Sequence, residues 1–190
     1  MNELRDSIIV HADRLLTPDG LPPFKGSQMR NISEMFDVDV VIENGKITDI
    51  RRHKDAHITA KLVTPGLFDV HTHIPFVGSR SKEFLMRAQG RKYVEILQSG
   101  GGIHHTTELV RNSTEEELFL QSKRYAEDFL SHGVVGIECK SGYGLDVENE
   151  LKQLRVIKRL HQTSFLKISS TFLGLHARPK DRSLDDYLDE

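Results

Sequence analysis

The sequence predicts an α/β protein, part of a (β/α)8 barrel preceded by a small all-β domain. Three observations predict it. Residues 1–63 hold short apolar runs separated by turn signals, with no helical periodicity. Beyond Val63-Thr64-Pro65-Gly66 short strands alternate with amphipathic helices, the pattern of parallel strands joined by right-handed crossovers. The stretch from 64 to 190 is about half of the ~250 residues of a closed barrel, so the chain is expected to be truncated after about three barrel strands.

In the β domain, Ser7–Val10 is an apolar run that ends at the turn signals Thr17-Pro18-Asp19-Gly20, and Leu21–Phe36, with Pro22, Pro23 and Gly26, reads as a loop. Asp37–Ile42 and Ile47–Ile50 flank Asn44-Gly45, a pair that tolerates the positive φ of a type I′ hairpin turn. In the second region, Leu67–His73 reads as a strand. Helical material follows around Phe84–Gln98 and stops at Gly100-Gly101-Gly102. A long helix starts at Ser113, where Ser113…Glu116 and Thr114…Glu117 both fit a capping box. Its apolar stripe includes Leu118, Tyr125 and Phe129, and Gly133 stops it. Val134–Lys140 is the next strand. Asp146 caps a helix carrying Leu151, Leu154, Ile157 and Leu160; a strand over Phe165–Leu175 leads to His176, and Ser183 opens a last helix.

Composition narrows the function classes. The 190 residues carry 26 Lys+Arg against 28 Asp+Glu, a net charge of −2, without the basic excess that nucleic acid or an anionic membrane would attract. With 37% hydrophobic residues the chain is of ordinary globular composition. One cysteine excludes an internal disulfide. Met1–Asp6 goes straight into charge without the apolar run of a signal peptide, and no stretch approaches a membrane span. The expectation is a soluble cytoplasmic protein.

His71 and His73 carry the sharpest chemistry. Residues i and i+2 of a strand share a face, so both imidazoles project together, near enough for one metal ion. Asp69 adds a carboxylate on that face, available to orient an imidazole. On the strand Val134–Lys140, Glu138 and Lys140 share one face, as an ion pair or as ligands, while Ile137 and Cys139 share the apolar one. Tyr143 sits between Gly142 and Gly144, where the backbone can approach a ligand; His176 lies at a strand's C-terminal end; Arg80, in Gly78-Ser79-Arg80, suits bidentate capture of a carboxylate. The other histidines (His11, His53, His57, His104, His105, His132 and His161) are given no role.

Together these residues resemble the amidohydrolase superfamily and, within it, the imidazolonepropionases of histidine degradation. The motifs are Thr64-Pro65-Gly66-Leu67-Phe68-Asp69-Val70-His71-Thr72-His73, then Gly78-Ser79-Arg80 with Glu83-Phe84, then Gly100-Gly101-Gly102-Ile103. Glu138-Cys139-Lys140-Ser141-Gly142-Tyr143-Gly144-Leu145, continuing through Glu150-Leu151-Lys152, and Thr171-Phe172-Leu173-Gly174-Leu175-His176 complete them. Val77, Asn149 and Leu175 depart from the usual pattern without removing a functional side chain. The resemblance implies an amidohydrolase barrel whose N-terminal domain is part of a composite β-sandwich. It implies a mononuclear zinc or iron centre held partly by His71 and His73, with Arg80, Tyr143 and His176 contacting substrate and Tyr93 as a weaker candidate. The reaction implied is hydrolysis of the ring amide of 4-imidazolone-5-propanoate to N-formimidoyl-L-glutamate. No catalytic residue is assigned within these 190 residues, because the resemblance puts a third metal histidine and the general-base aspartate on later strands. A small-molecule substrate is the expected partner, with a homodimer left open. Two other readings compete: a dihydroorotase- or hydantoinase-like enzyme, in which Lys140 would be a carbamylated bridging lysine, and a non-catalytic half-barrel that assembles with a complementary chain.

Overall fold

A computed structural model describes residues 7–98 and 100–190. The chain divides into two compact units between Pro65 and Gly66.

The described residues of the first unit form one four-stranded sheet in the order β3-β2-β1-β4. β1 (Ser7–Pro18) pairs antiparallel with β2 (Ile32–Glu43) and parallel with β4 (Ile58–Val63), and β3 (Lys46–Arg52) closes the hairpin with β2. Asn44 and Gly45 turn that hairpin at φ 50° and 72°, the left-handed pair the sequence asks for. Ala12, Leu15, Val38 and Val40 make a small core. The expected loop over Leu21–Phe36 is overturned at its C-terminal end. β1 runs on to Pro18, and its extra length offers a ladder to Ile32–Phe36; the remaining irregular stretch contains a single 3-10 turn, Gly26–Arg30.

The second unit has a three-stranded parallel sheet, β5 (Leu67–Thr72), β6 (Val134–Lys140) and β7 (Lys167–Thr171), in sequential order. Four helices connect β5 to β6: α1 (Ser81–Ala88), α2 (Tyr93–Gln98), α3 (Ile103–Asn112) and α4 (Glu115–Ser131). α5 (Val147–Thr163) returns β6 to β7, and α6 (Leu184–Leu188) follows. One residue more on β5 than on β6 between Asp69 and Thr72 makes a bulge at the end of the strand. Of the two capping boxes Thr114…Glu117 is used: Thr114 Oγ1 accepts from the Glu117 N–H at 3.2 Å, and Glu117 accepts from the Thr114 N–H at 2.9 Å. Asp146 caps α5 by accepting from Asn149 N–H at 2.8 Å.

α4 and α5 cover one face of the sheet, burying Leu118, Phe119 and Ala126, then Val156, Ile157 and Leu160, on Ile137, Cys139 and Ile168. Burial pushes the Cys139 thiol up to about 11. Four expectations change here. The stretch Phe84–Gln98 is two helices, because Gly90 at φ 87° breaks it. α3 was not foreseen. β7 stops at Thr171, four residues before the expected end. Leu151 is 47% exposed and lies off the core stripe, beside exposed Phe172 and Leu175. No helix among the described residues is long and apolar enough to cross a membrane.

Candidate metal and substrate site

The C-terminal ends of β5, β6 and β7, with the residue before α1, bring five of the candidate residues together. The His71 and His73 rings lie 5.5 Å apart between centroids, the His73 ring lies 4.6 Å from that of His176 and 5.1 Å from that of Tyr143, and Arg80 Nη2 donates to Tyr143 Oη at 3.4 Å. Arg80 and Tyr143 border a cleft of about 270 Å³, together with Phe76, Gly78, His105 and Tyr125. Tyr93, 52% exposed at the start of α2, does not line it.

Local chemistry sets each ring. His73 Nδ1 lies 3.0 Å from the Ser141 carbonyl, which only accepts, so Nδ1 carries the proton and the Nε2 lone pair is free. Burial, helped by the neighbouring His176, pushes His73 down to about 4, leaving the imidazole neutral at physiological pH, the form that ligates a metal. Two adjacent imidazoles, one with its tautomer fixed by a carbonyl, fit a zinc or iron ion as two of its ligands. Asp69 has a different task from the one expected. The bulge frees the His71 backbone N–H from the ladder, and the Asp69 carboxylate accepts it at 3.1 Å.

Glu138 and Lys140 form an ion pair, and Thr171 Oγ1 donates to the same Glu138 oxygen at 2.6 Å. The Lys140 ammonium, then the Thr171 hydroxyl, hold the Glu138 carboxyl below its ordinary range.

The loop carrying Tyr143 is built from inside. Buried Glu150 accepts from the N–H groups of Gly142 at 2.9 Å, Gly144 at 2.8 Å and Leu145 at 2.9 Å; buried Gln153 accepts from Tyr143 N–H at 3.1 Å and donates to the Pro75 carbonyl at 2.6 Å. Arg111 clamps the same loop through the carbonyls of Gly144 and Leu145 at 2.7 and 2.9 Å. Gly142 stands at φ 116°, and a Cβ there would meet His176 Cβ at 2.8 Å and the Leu173 carbonyl at 3.0 Å. Only glycine lets the loops after β6 and β7 approach so closely.

Sequence reasoning missed these supports. The signal for Glu150 was an acidic residue on the face of α5 that also carries Ile157 and Leu160, where a charge is kept only if its acceptor capacity is filled. His105 reaches the cleft from α3, a helix with no side-chain cap to signal it in the sequence. The first unit holds a separate group, His11, Asp39 and His53, whose ligand atoms lie within 4.8 Å of one another.

No family model matches the chain. Curated relatives named imidazolonepropionase do. The one from Brevibacillus brevis is 45% identical over 189 residues, 91% of this chain and 45% of its own length. Those from Staphylococcus saprophyticus and Geobacillus kaustophilus are 42% identical, covering 98% and 94% of this chain and 48% and 46% of theirs. The chain thus spans about half the length of the curated relatives it matches, and that half is N-terminal. Among solved structures, E. coli guanine deaminase superposes with a TM-score of 0.52 at 13% identity, over 96% of this chain and 39% of that one. Aspergillus niger ochratoxinase gives 0.51 at 14%, over 87% and 31%. At such identities the likeness is one of fold, the mixed α/β fold of the amidohydrolases.

Proposed function

We propose that this chain, the counterpart of the N-terminal half of the imidazolonepropionases, grips 4-imidazolone-5-propanoate in a cytoplasmic metal-dependent hydrolase that opens the ring amide to N-formimidoyl-L-glutamate. The observation that carries the reading is Arg80 bonded to Tyr143 beside the His71/His73 pair. It occurs in a chain 42–45% identical to three proteins of that name. In this reading β5, β6 and β7 are the first three strands of an eight-stranded barrel. The remaining metal ligands and the general base belong to the part of the relatives' length that this chain does not span.

Each residue's task follows from its chemistry. Arg80 offers a planar fork of donors to the propanoate carboxylate, and its long bond to Tyr143 is readily exchanged for a charged one. Tyr143 Oη, released from Arg80, and the exposed His176 would donate to the ring or to its developing oxyanion. His71 and His73 hold the ion, zinc or iron, which when bound activates water at neutral pH and polarises the ring carbonyl. The bridging-lysine alternative requires that Lys140 leave the Glu138 carboxylate with which it is paired.

The reading is tested by mixing the chain with the separately produced C-terminal half of the Brevibacillus brevis relative and zinc or iron, and following imidazolonepropionate. Turnover by the mixture is the expected result. A folded, metal-loaded mixture that opens hydantoin or dihydroorotate but leaves imidazolonepropionate untouched would refute it.

A further inference from the structure

The sheet of the first unit gathers two histidines onto one buried carboxylate. His11 on β1 and Asp39 on β2 are register partners, so their side chains share a face, and His53 directly follows β3. His11 Nδ1 lies 3.2 Å and His53 Nδ1 2.7 Å from the same Asp39 oxygen, and the two rings are 4.0 Å apart. Asp39 is 0% exposed; its other oxygen accepts from the backbone N–H groups of Lys54 at 2.9 Å and Asp55 at 3.4 Å. The far nitrogen of His11, Nε2, faces Asp13 at 3.3 Å and Asp37 at 3.8 Å.

A neutral His11 cannot donate to both of its carboxylate neighbours, Asp39 at Nδ1 and Asp13 at Nε2. A neutral imidazole has one N–H. With that proton on Nε2, toward Asp13, the Nδ1 lone pair of His11 points at an Asp39 oxygen, and two electron-rich atoms at that distance repel unless a proton or a cation sits between them. A carboxylate that fixes the far N–H while the near nitrogen ligates is the usual support of a metal-bound histidine. Two imidazole nitrogens and one carboxylate oxygen make a donor set for a zinc-class ion rather than for magnesium or calcium.

We propose that His11, Asp39 and His53 bind a divalent transition-metal ion of the zinc class, with Asp13 holding the His11 tautomer and water completing the shell on the open side of His53. Bonds of about 2.0–2.2 Å place ligand atoms roughly 3–4 Å apart, so atoms already within 4.8 Å of one another need only small side-chain rotations. The site belongs to the unit that precedes Gly66 and is independent of the hydrolase reading.

Zinc is counted by elemental analysis on the metal-stripped, reloaded full chain after gel filtration, with cobalt(II) as spectroscopic probe. A His71→Ala/His73→Ala chain is expected to keep one equivalent of zinc and to show visible cobalt bands. Adding His53→Gln should weaken zinc binding ~10–100-fold, with the far-UV spectrum unchanged. If the double variant does not fold, the wild-type chain serves: its zinc count should fall by one equivalent with His53→Gln. A folded His71→Ala/His73→Ala chain that retains no zinc, or a zinc count and affinity indifferent to His53→Gln, would show that protons alone hold the cluster and would overturn the proposal.

Discussion

At the residue scale the site divides into groups proposed to touch substrate and groups that shape the loop beneath them. Arg80 is of the first kind. A carboxylate clamp acts in ground and transition states alike, so Arg80→Ala is expected to raise KM ~10–100-fold with little change in kcat, measured on the reconstituted enzyme. Gly142 and Glu150 are of the second kind. Gly142→Ala puts a Cβ at φ 116° against His176 Cβ at 2.8 Å, so a loss of about 1–3 kcal/mol is expected, seen as a lowered thermal midpoint. Glu150→Ala strips the acceptor from the buried N–H groups of Gly142 and Leu145, while Gly144 N–H keeps Gln153 Oε1 at 3.0 Å, and should cost about 2–3 kcal/mol in urea unfolding. The His71/His73 pair was legible in the sequence because its residue type and spacing are chemically specific, whereas Arg80, Tyr143 and His176 stood out through the motifs around them. The tasks of Glu150, Gln153 and Arg111 were not legible, because these side chains bond to backbone amides and carbonyls of the Gly142–Leu145 loop, groups that every residue carries and that leave no mark on the sequence of that loop.

At the element scale, legibility followed the strength of local signals. β6 and the Asp146 and Thr114 caps stand where turn and cap chemistry placed them, and Thr114→Ala should lower stability by about 1 kcal/mol through the lost cap on α4. α3 was hidden because its N-terminus is formed by Gly102 at φ 75°, with no side-chain cap. Its C-terminus is secured from elsewhere: Lys152 on α5 donates to the carbonyls of Val110, Arg111 and Ser113 at 2.7, 3.3 and 2.9 Å. A helix tied down by tertiary bonds needs few start and stop signals of its own. The same physics extends β2 back to Ile32: pairing with a long β1 outweighs the loop-like composition before it.

At the scale of the whole molecule, several acidic groups share one pH dependence. Glu116 is held down by Arg159, Glu117 by the Thr114 backbone N–H and hydroxyl, and Glu138 by Lys140. Each has a lower pKa folded than unfolded, so its contribution is present above the ordinary carboxylate range and is lost as pH falls through the folded values. Thermal midpoints should therefore decline below about pH 4.5, the ordinary glutamate value. Glu138→Gln, which removes the titrating carboxyl while keeping its shape, should flatten that decline. The parallel sheet around which these groups sit also carries a built-in timekeeper. Its central strand holds the chain's single thiol, 0% exposed and protonated at neutral pH, so a thiol-directed reagent can react only when α4 and α5 part from β6. The rate at which an aromatic disulfide dye labels Cys139 thus clocks the opening of that core, without any engineered probe.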